Sequence, residues 1–338
     1  MPGKLTRIGP RKLTKTGRPP VPAVIAAAGE KASRRFLEFF AAEIRNRNTR
    51  LAYARAVSPF LDWCEARGRE LHEIDPVMVA AYIEQLAVTP SRNPRVKTEV
   101  VLSKPTIKQN LAAIRGLFDY LVTGGVIPFN PASSVRGPKY SIKRGKTPVL
   151  NVEEIRGLFR SIDATKLVGL RDRALIAVMF YTFARVGAVV SMRVDDYYQQ
   201  GKRWFVRLHE KGGKHHTLEA HHKLQEYLDA YLEAAGLWQK KKSPLFPALY
   251  HRQVLSDEPL PRHKAWEMIK RRSKAAGLST TTSPHSWRGS GITEYLRNGG
   301  SIETAQEIAA HESSRTTKLY DRSQSEITLD EIERIPAV

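Results

Sequence analysis

The residues best suited to chemistry on a phosphodiester lie towards the C-terminal end of this chain. Pro284-His285-Ser286-Trp287-Arg288 sets an imidazole and a guanidinium three positions apart, which on a helix is one face. A helical pattern follows, and then Ala310-His311-Glu312 and Leu319-Tyr320-Asp321 add a second imidazole and a phenol. Upstream, Arg185 stands at a helix end and Lys211 opens the turn Lys211-Gly212-Gly213-Lys214. One reaction would use all of these groups: transfer of a phosphodiester to tyrosine. Negative charge builds on the non-bridging oxygens in its transition state, and two guanidiniums offer forked donors matched to them. A phenol, with a free pKa of about 10, attacks only in positive surroundings with a base at hand. The leaving 5′-oxygen needs a proton, which a lysine on a turn can deliver. Side-chain cations carry the charge, so neither metal nor cofactor is expected.

Each group taken alone also has an ordinary structural use. Arg185 could cap a helix C-terminus, the lysines could form a solvated turn, His285 could be a satisfied interior histidine, and Tyr320 could simply pack. Spacing does not make the groups meet; the elements around them must.

A chain of 338 residues with 41% hydrophobic content is long enough for two cored domains. Its 55 Lys and Arg against 34 Asp and Glu give a formal charge of +21, an excess that calls for a polyanionic partner, nucleic acid first. No run of 18 apolar residues reads as a membrane span. The single cysteine, Cys64, excludes an intrachain disulfide and a cysteine-rich zinc site, and it suits a reducing compartment. A cytoplasmic, nucleoid-associated protein is expected. The pairs His215-His216 and His221-His222 read as surface or phosphate-contacting residues rather than metal ligands.

In order, residues 1–26 form a basic, proline-rich and flexible arm with Lys4, Arg7, Arg11, Lys12, Lys15 and Arg18. Residues 27–123 read as all-helical. Phe36, Phe39, Phe40 and Ile44 recur at helical spacing, Asn48-Thr49 opens a second helix, and Asp75-Pro76 is a cap followed by proline. Ser103-Lys104-Pro105-Thr106 opens a helix whose apolar face carries Ile107, Leu111, Ile114, Leu117, Phe118 and Leu121. Such a domain suits docking on DNA or on another protein. A basic linker spans 124–147 and a second domain spans 148–322. There Asn151 to Glu154 forms a cap, Trp204, Val206 and Leu208 open a β-hairpin across the glycine turn, and Ala265 to Ala276 is helical. Residues 323–338 suggest an amphipathic tail helix for docking on a neighbour. The expected class is mainly α with a small antiparallel sheet. Candidates for DNA contact are Lys104, Lys108 and Arg115 in the first domain, and Lys214, Arg271 and Arg272 in the second.

These residues, in this order, resemble the tyrosine recombinase family of the phage-integrase type, over most of the chain. The family's first arginine falls on Ala184-Arg185-Val186-Gly187-Ala188-Val189, its hairpin lysine on Lys211 of Glu210-Lys211-Gly212-Gly213-Lys214 with Lys214 as the alternative, and its His-x-x-Arg box on His285 to Arg288. Its later histidine falls on His311 and its nucleophile on Tyr320, nine residues on. Thr106 to Arg115 and Asn130-Pro131 resemble the end of the family's core-binding domain. The resemblance implies a helical core-binding domain and an α+β catalytic domain that clamp duplex DNA. It implies a 3′-phosphotyrosine intermediate, and a tetramer exchanging strands through a Holliday junction without ATP, with accessory DNA-bending or directionality proteins as possible partners. Two departures stand out: the family's acid three residues after the first arginine is Ala188, and its glycine before the second histidine is Ala310. A relaxing topoisomerase of type IB chemistry and a non-catalytic DNA-binding regulator are the alternatives.

Overall fold

A computed structural model describes residues 20–88, 101–140, 145, 147–210, 215–250, 254–279 and 282–321. The chain divides into two units, Met1–Ser141 and Ile142–Val338, each with its own apolar core.

The regular elements of the first unit, among its described residues, are helices: α1 (Ala23–Ala27), α2 (Glu30–Glu38), which runs into a π turn over Phe39–Glu43, α3 (Arg47–Glu65), α4 (Pro76–Val88) and α5 (Lys104–Thr123). Local chemistry sets the starts. Asp75 accepts the Met78 N–H at 2.7 Å, with Pro76 filling the first helical position where its missing N–H costs nothing. Asn46 caps α3 by accepting from Asn48 and Thr49, so that helix begins just before the expected Asn48-Thr49 start. The apolar face read for α5 is the buried one, and it packs against α3, where the Phe60 and Phe118 rings meet edge-on at 6.0 Å. Burying each such side chain contributes about 1.5–3 kcal/mol. Cys64 lies in this core, where burial pushes its thiol up to about 12 and keeps it unreactive.

The arm needs correcting at its end. Val24 and Ile25 of α1 are 4% and 0% exposed, so residues 23–26 belong to the packed unit. Prolines at 19, 20 and 22 lead into this stretch, yet a short helix needs only a few non-proline residues and an apolar pair to bury. Residues 1–19 lie outside the described residues, as do 89–100 and the expected tail helix at 323–338.

The second unit contains α6 (Val152–Ser161), α7 (Leu167–Tyr181), α8 (Val186–Val190), β1 (Tyr197–Gln200), β2 (Arg203–His209), β3 (His215–Glu219), α9 (His222–Ala235), β4 (Pro247–Tyr250), β5 (Val254–Pro259), α10 (Arg262–Ala275), α11 (Pro284–Arg297), α12 (Ile302–Ile308) and α13 (Ser314–Lys318). The expected hairpin is β2–β3, antiparallel with Val206 opposite Leu218. β1 extends it to the order β1-β2-β3, and β4–β5 forms a separate antiparallel pair. The class is as expected: mainly helical with a small antiparallel sheet. Asn151 and Glu154 form the reciprocal capping box read from sequence, at 2.9 and 2.8 Å. α7 is apolar on nearly every side and forms the central helix of this core. Its one buried carboxylate, Asp172, is held by Arg171 at 2.8 Å and by Arg272 at 2.8 Å, which ties α7 to α10.

Candidate active site

α11 carries the His-x-x-Arg box. Ser283 starts it with a capping box to Ser286, and Pro284 fills the first turn. Helical periodicity then turns Trp287 inward, fully buried and edge-on to Phe159 at 6.1 Å. His285 stays at the surface of the first turn, and Arg288 is 2% exposed one turn on. Gly291 lies so close to the Phe180 carbonyl that any Cβ there would collide with it, and this close approach seats α11 against the end of α7.

Arg288 donates to two main-chain carbonyls, Phe183 from Nη1 and Ala309 from Nη2, the latter at 2.6 Å. Phe183 has φ of 53° and Ala310, next to Ala309, has φ of 46°. Both therefore occupy the left-handed region that glycine tolerates best. At Ala310 this explains the resembled family's glycine. Burial first, and then the Arg185 charge, lower the Arg288 pKa to about 10, with Glu210 and Tyr320 acting in the opposite direction. Arg288 thus stays cationic at neutral pH, and its remaining N–H groups are free of those two carbonyls.

Arg185 does not end the preceding helix as its sequence position suggests. α7 stops at Tyr181, Phe183 breaks the chain, and Arg185 becomes the N-cap of α8. A cation at a helix N-terminus opposes the dipole. Glu210, at the end of β2 and with a side chain only 2% exposed, answers it. Glu210 takes Arg185 Nη1 at 2.6 Å and the Arg185 main-chain N–H at 3.5 Å.

The polypeptide returns through α12, capped by Ser301, and α13, capped by Ser313, to present His311 and Tyr320. His311 is buried, with Nδ1 2.9 Å from the Thr317 hydroxyl, and its ring lies parallel to that of Tyr320 at 6.2 Å and 7°. Thr293 of α11 donates to the Tyr320 carbonyl at 2.9 Å. Burial, then Arg288 and Arg185, hold the His311 pKa down at about 4. His285 is also lowered, by desolvation around its inner edge and then by Arg288, Arg262 and Arg185, although its outer edge meets solvent. Both imidazoles are neutral at neutral pH, able to accept a proton or a hydrogen bond.

Two expected results follow from this packing. Above the unfolded value of about 6.5, His311 is neutral folded or unfolded, and its contribution to stability is fully present. As pH falls towards 4 the unfolded chain takes the proton and the folded one does not, so stability drops by on the order of 3 kcal/mol. Melting temperature measured from pH 8 to 4 should fall more steeply for the wild type than for His311→Asn. The second concerns Gly289 in mid-helix, where a Cβ would lie 2.9 Å from Tyr320 Cε1. Gly289→Ala strengthens the helix by about 1 kcal/mol in propensity yet must push the phenol aside. Covalent adduct formation on Tyr320, the step that the family resemblance implies, should fall roughly 10²-fold with no matching loss in melting temperature.

The structure thus brings Arg185, His285, Arg288, His311 and Tyr320 together, while Lys211 and Lys214 lie outside the described residues. Of the DNA-contact candidates, Lys104 and Lys108 are exposed on α5. Arg115 is committed to the carbonyls of Ala132 at 3.1 Å and Val135 at 2.7 Å, so it braces the exit from α5. Arg272 is committed to Asp172, and the exposed Arg271 approaches the same carboxylate at 3.6 Å. His216 Nε2 donates to the Ile308 carbonyl at 3.2 Å, and His221 caps α9 by accepting from the Lys223 N–H. Glu210 and Arg262 were not singled out by sequence reasoning. Glu210 stood in the lysine motif with no signal except that it precedes Lys211.

Comparison with known proteins shows the family. Residues 148–326 match the phage integrase family, and residues 34–125 match the phage integrase N-terminal SAM-like domain. The tyrosine recombinase XerD of Corynebacterium glutamicum is 29% identical over 293 residues, covering 85% of this chain and 90% of that one. XerD of Chlorobaculum tepidum is 27% identical over 289 residues, covering 82% and 87%. Among solved structures, the XerH site-specific recombinase bound to a palindromic difH substrate superposes with a TM-score of 0.67 at 21% identity, covering 90% of this chain and 88% of that one. A lambda integrase dimer (residues 75–356) bound to a core site superposes with 0.61 at 18%, covering 86% and 95%. The chain belongs to the phage integrase family. It is a tyrosine-type site-specific DNA recombinase.

Proposed function

We propose that this chain cleaves and rejoins duplex DNA at a specific site through a 3′-phosphotyrosyl link on Tyr320. The observation that carries the reading is the Tyr320 ring stacked on His311 within the field of Arg288 and Arg185. The Tyr320 oxygen attacks phosphorus, its proton passing to a neutral histidine, and the bond to the 5′-oxygen breaks. Lys211, or Lys214 in its place, gives the leaving oxygen its proton. The two guanidiniums hold the non-bridging oxygens as their charge grows. Attack by a 5′-hydroxyl reverses the step without an outside energy source, because the covalent link keeps the energy of the broken bond. Strand exchange between two sites then runs through a Holliday junction on a tetramer. A lambda integrase tetramer bound to a Holliday junction has the same fold, with a TM-score of 0.62 at 17% identity, and supports that reading. The formal charge of +21 suits a chain held on duplex DNA.

The test is covalent capture: expression in the host, denaturation, and sequencing of protein-linked DNA ends beside a Tyr320→Phe control. The expected result is a discrete site joined through its 3′-phosphate. Adducts scattered over the genome would favour a relaxing topoisomerase, and no adduct despite tight DNA binding would favour a regulator.

A further inference from the structure

In the resembled family an acid stands three residues after the first arginine, and here that position is Ala188. The geometry of α8 shows what such an acid would do. Arg185 is the N-cap and Ala188 the third helical position, so a glutamate at 188 would reach back to the N-cap main-chain N–H, as in a capping box. It would stand beside the guanidinium as well. In this chain the same contacts come from outside the helix. Glu210 takes the Arg185 main-chain N–H at 3.5 Å with Oε1 and the guanidinium at 2.6 Å with Oε2. Ala188 is 5% exposed, a buried place occupied by the smallest side chain with a Cβ, and it leaves Glu210 as the carboxylate paired with Arg185.

We propose that Glu210 is the positioning residue for Arg185, a replacement of the missing acid by one 25 residues away, just past the end of β2; the assignment rests on the recombinase reading. Three features argue for this over a plain structural ion pair. A buried carboxylate is costly to desolvate, and an apolar pair would hold α8 to β2 equally well. The Arg185 side chain remains 35% exposed, so one edge is fixed by Glu210 while the rest still faces outward to a ligand. Finally, the charge of Glu210, which precedes Lys211 in the sequence, offsets the repulsion between Arg185 and Arg288.

The test uses the full chain and nicked duplexes that carry the captured site. Glu210→Gln should bind the duplex as the wild type does but form adduct roughly 10²-fold more slowly. Adding Ala188→Glu should recover at least about tenfold of that loss, because it restores a carboxylate to the same N–H and guanidinium; Ala188→Glu alone should bring no gain. A merely structural Glu210 would lower the melting temperature and leave the rate per folded molecule untouched. The assignment is overturned if Glu210→Gln cleaves at the wild-type rate, or if its deficit is not relieved by Ala188→Glu. Should Glu210→Gln fail to fold, the double variant decides: active supports the swap, inactive or unfolded overturns it. A wild-type chain without a Tyr320-dependent adduct overturns the recombinase reading itself, whereas an active wild type with an indifferent Glu210→Gln overturns only the role of Glu210.

Discussion

Tyr320→Phe should yield a chain that folds and binds DNA as before and forms no covalent adduct at all. The substitution removes one oxygen and leaves every other contact in place. The ring keeps its stacking on His311, the main-chain N–H still reaches the Thr317 carbonyl at 2.9 Å, and Thr293 still donates to the residue's carbonyl. Stability should therefore change by no more than about 0.5 kcal/mol. The loss of chemistry is total because, among the described residues of the site, no second hydroxyl takes the place of the phenol: the His311 ring lies behind the Tyr320 ring, and the arginines are cations. Denaturing gels of DNA incubated with each protein, read beside thermal melts and duplex binding, separate the three effects. An adduct from Tyr320→Phe at wild-type yield would move the nucleophile elsewhere and sink the proposed mechanism.

What the sequence disclosed and what it withheld divide along physical lines. Helix faces were legible where burial is decided by period: α5 buries the stripe that its spacing marks, and the box at His285 and Arg288 is a one-turn relation that any helix enforces. Caps were legible for the same reason, since Asp75 with Pro76 and Asn151 with Glu154 act within one turn. Long-range partners were not. Arg185 and Glu210 are a distant pair, and nothing in either neighbourhood announces the other. Arg115 and Arg272 read as surface cations because a guanidinium's target is not written beside it; one serves carbonyls and the other a buried carboxylate. Sequence patterning also missed β1, whose Tyr197-Tyr198-Gln199-Gln200 is too short to show alternation, and the helix break at Phe183, where a non-glycine residue takes a positive φ. That break matters most, because it frees the carbonyl that Arg288 binds.

Arg288→Lys should be the most damaging conservative change in the chain. The guanidinium does two jobs at once, and lysine is suited to neither. Its planar fork spans the Phe183 and Ala309 carbonyls while keeping further donors for a phosphate. A lysine ammonium is a single strongly hydrated charge on a flexible stem, and at a site that is 2% exposed it must leave water without reproducing the fork. A carbonyl left without its donor costs about 1–3 kcal/mol when buried, so the melting temperature should fall visibly. The second consequence reaches the chemistry by another route. Ala309 leads into Ala310, held at φ of 46°, and then into His311, so the Arg288 bond anchors the turn that sets the imidazole against the Tyr320 ring. Losing the bond should loosen both the proposed phosphate clamp and the seat of Tyr320. Adduct formation should fall by roughly 10³-fold or more, in line with the worth of a transition-state arginine in phosphoryl transfer. Arg185→Lys, at a side chain 35% exposed with Glu210 as its partner, should cost much less stability. Single-turnover cleavage at saturating duplex, with melts of both variants, makes the comparison; an Arg288→Lys chain within tenfold of wild type would show that the phosphate is held by other groups.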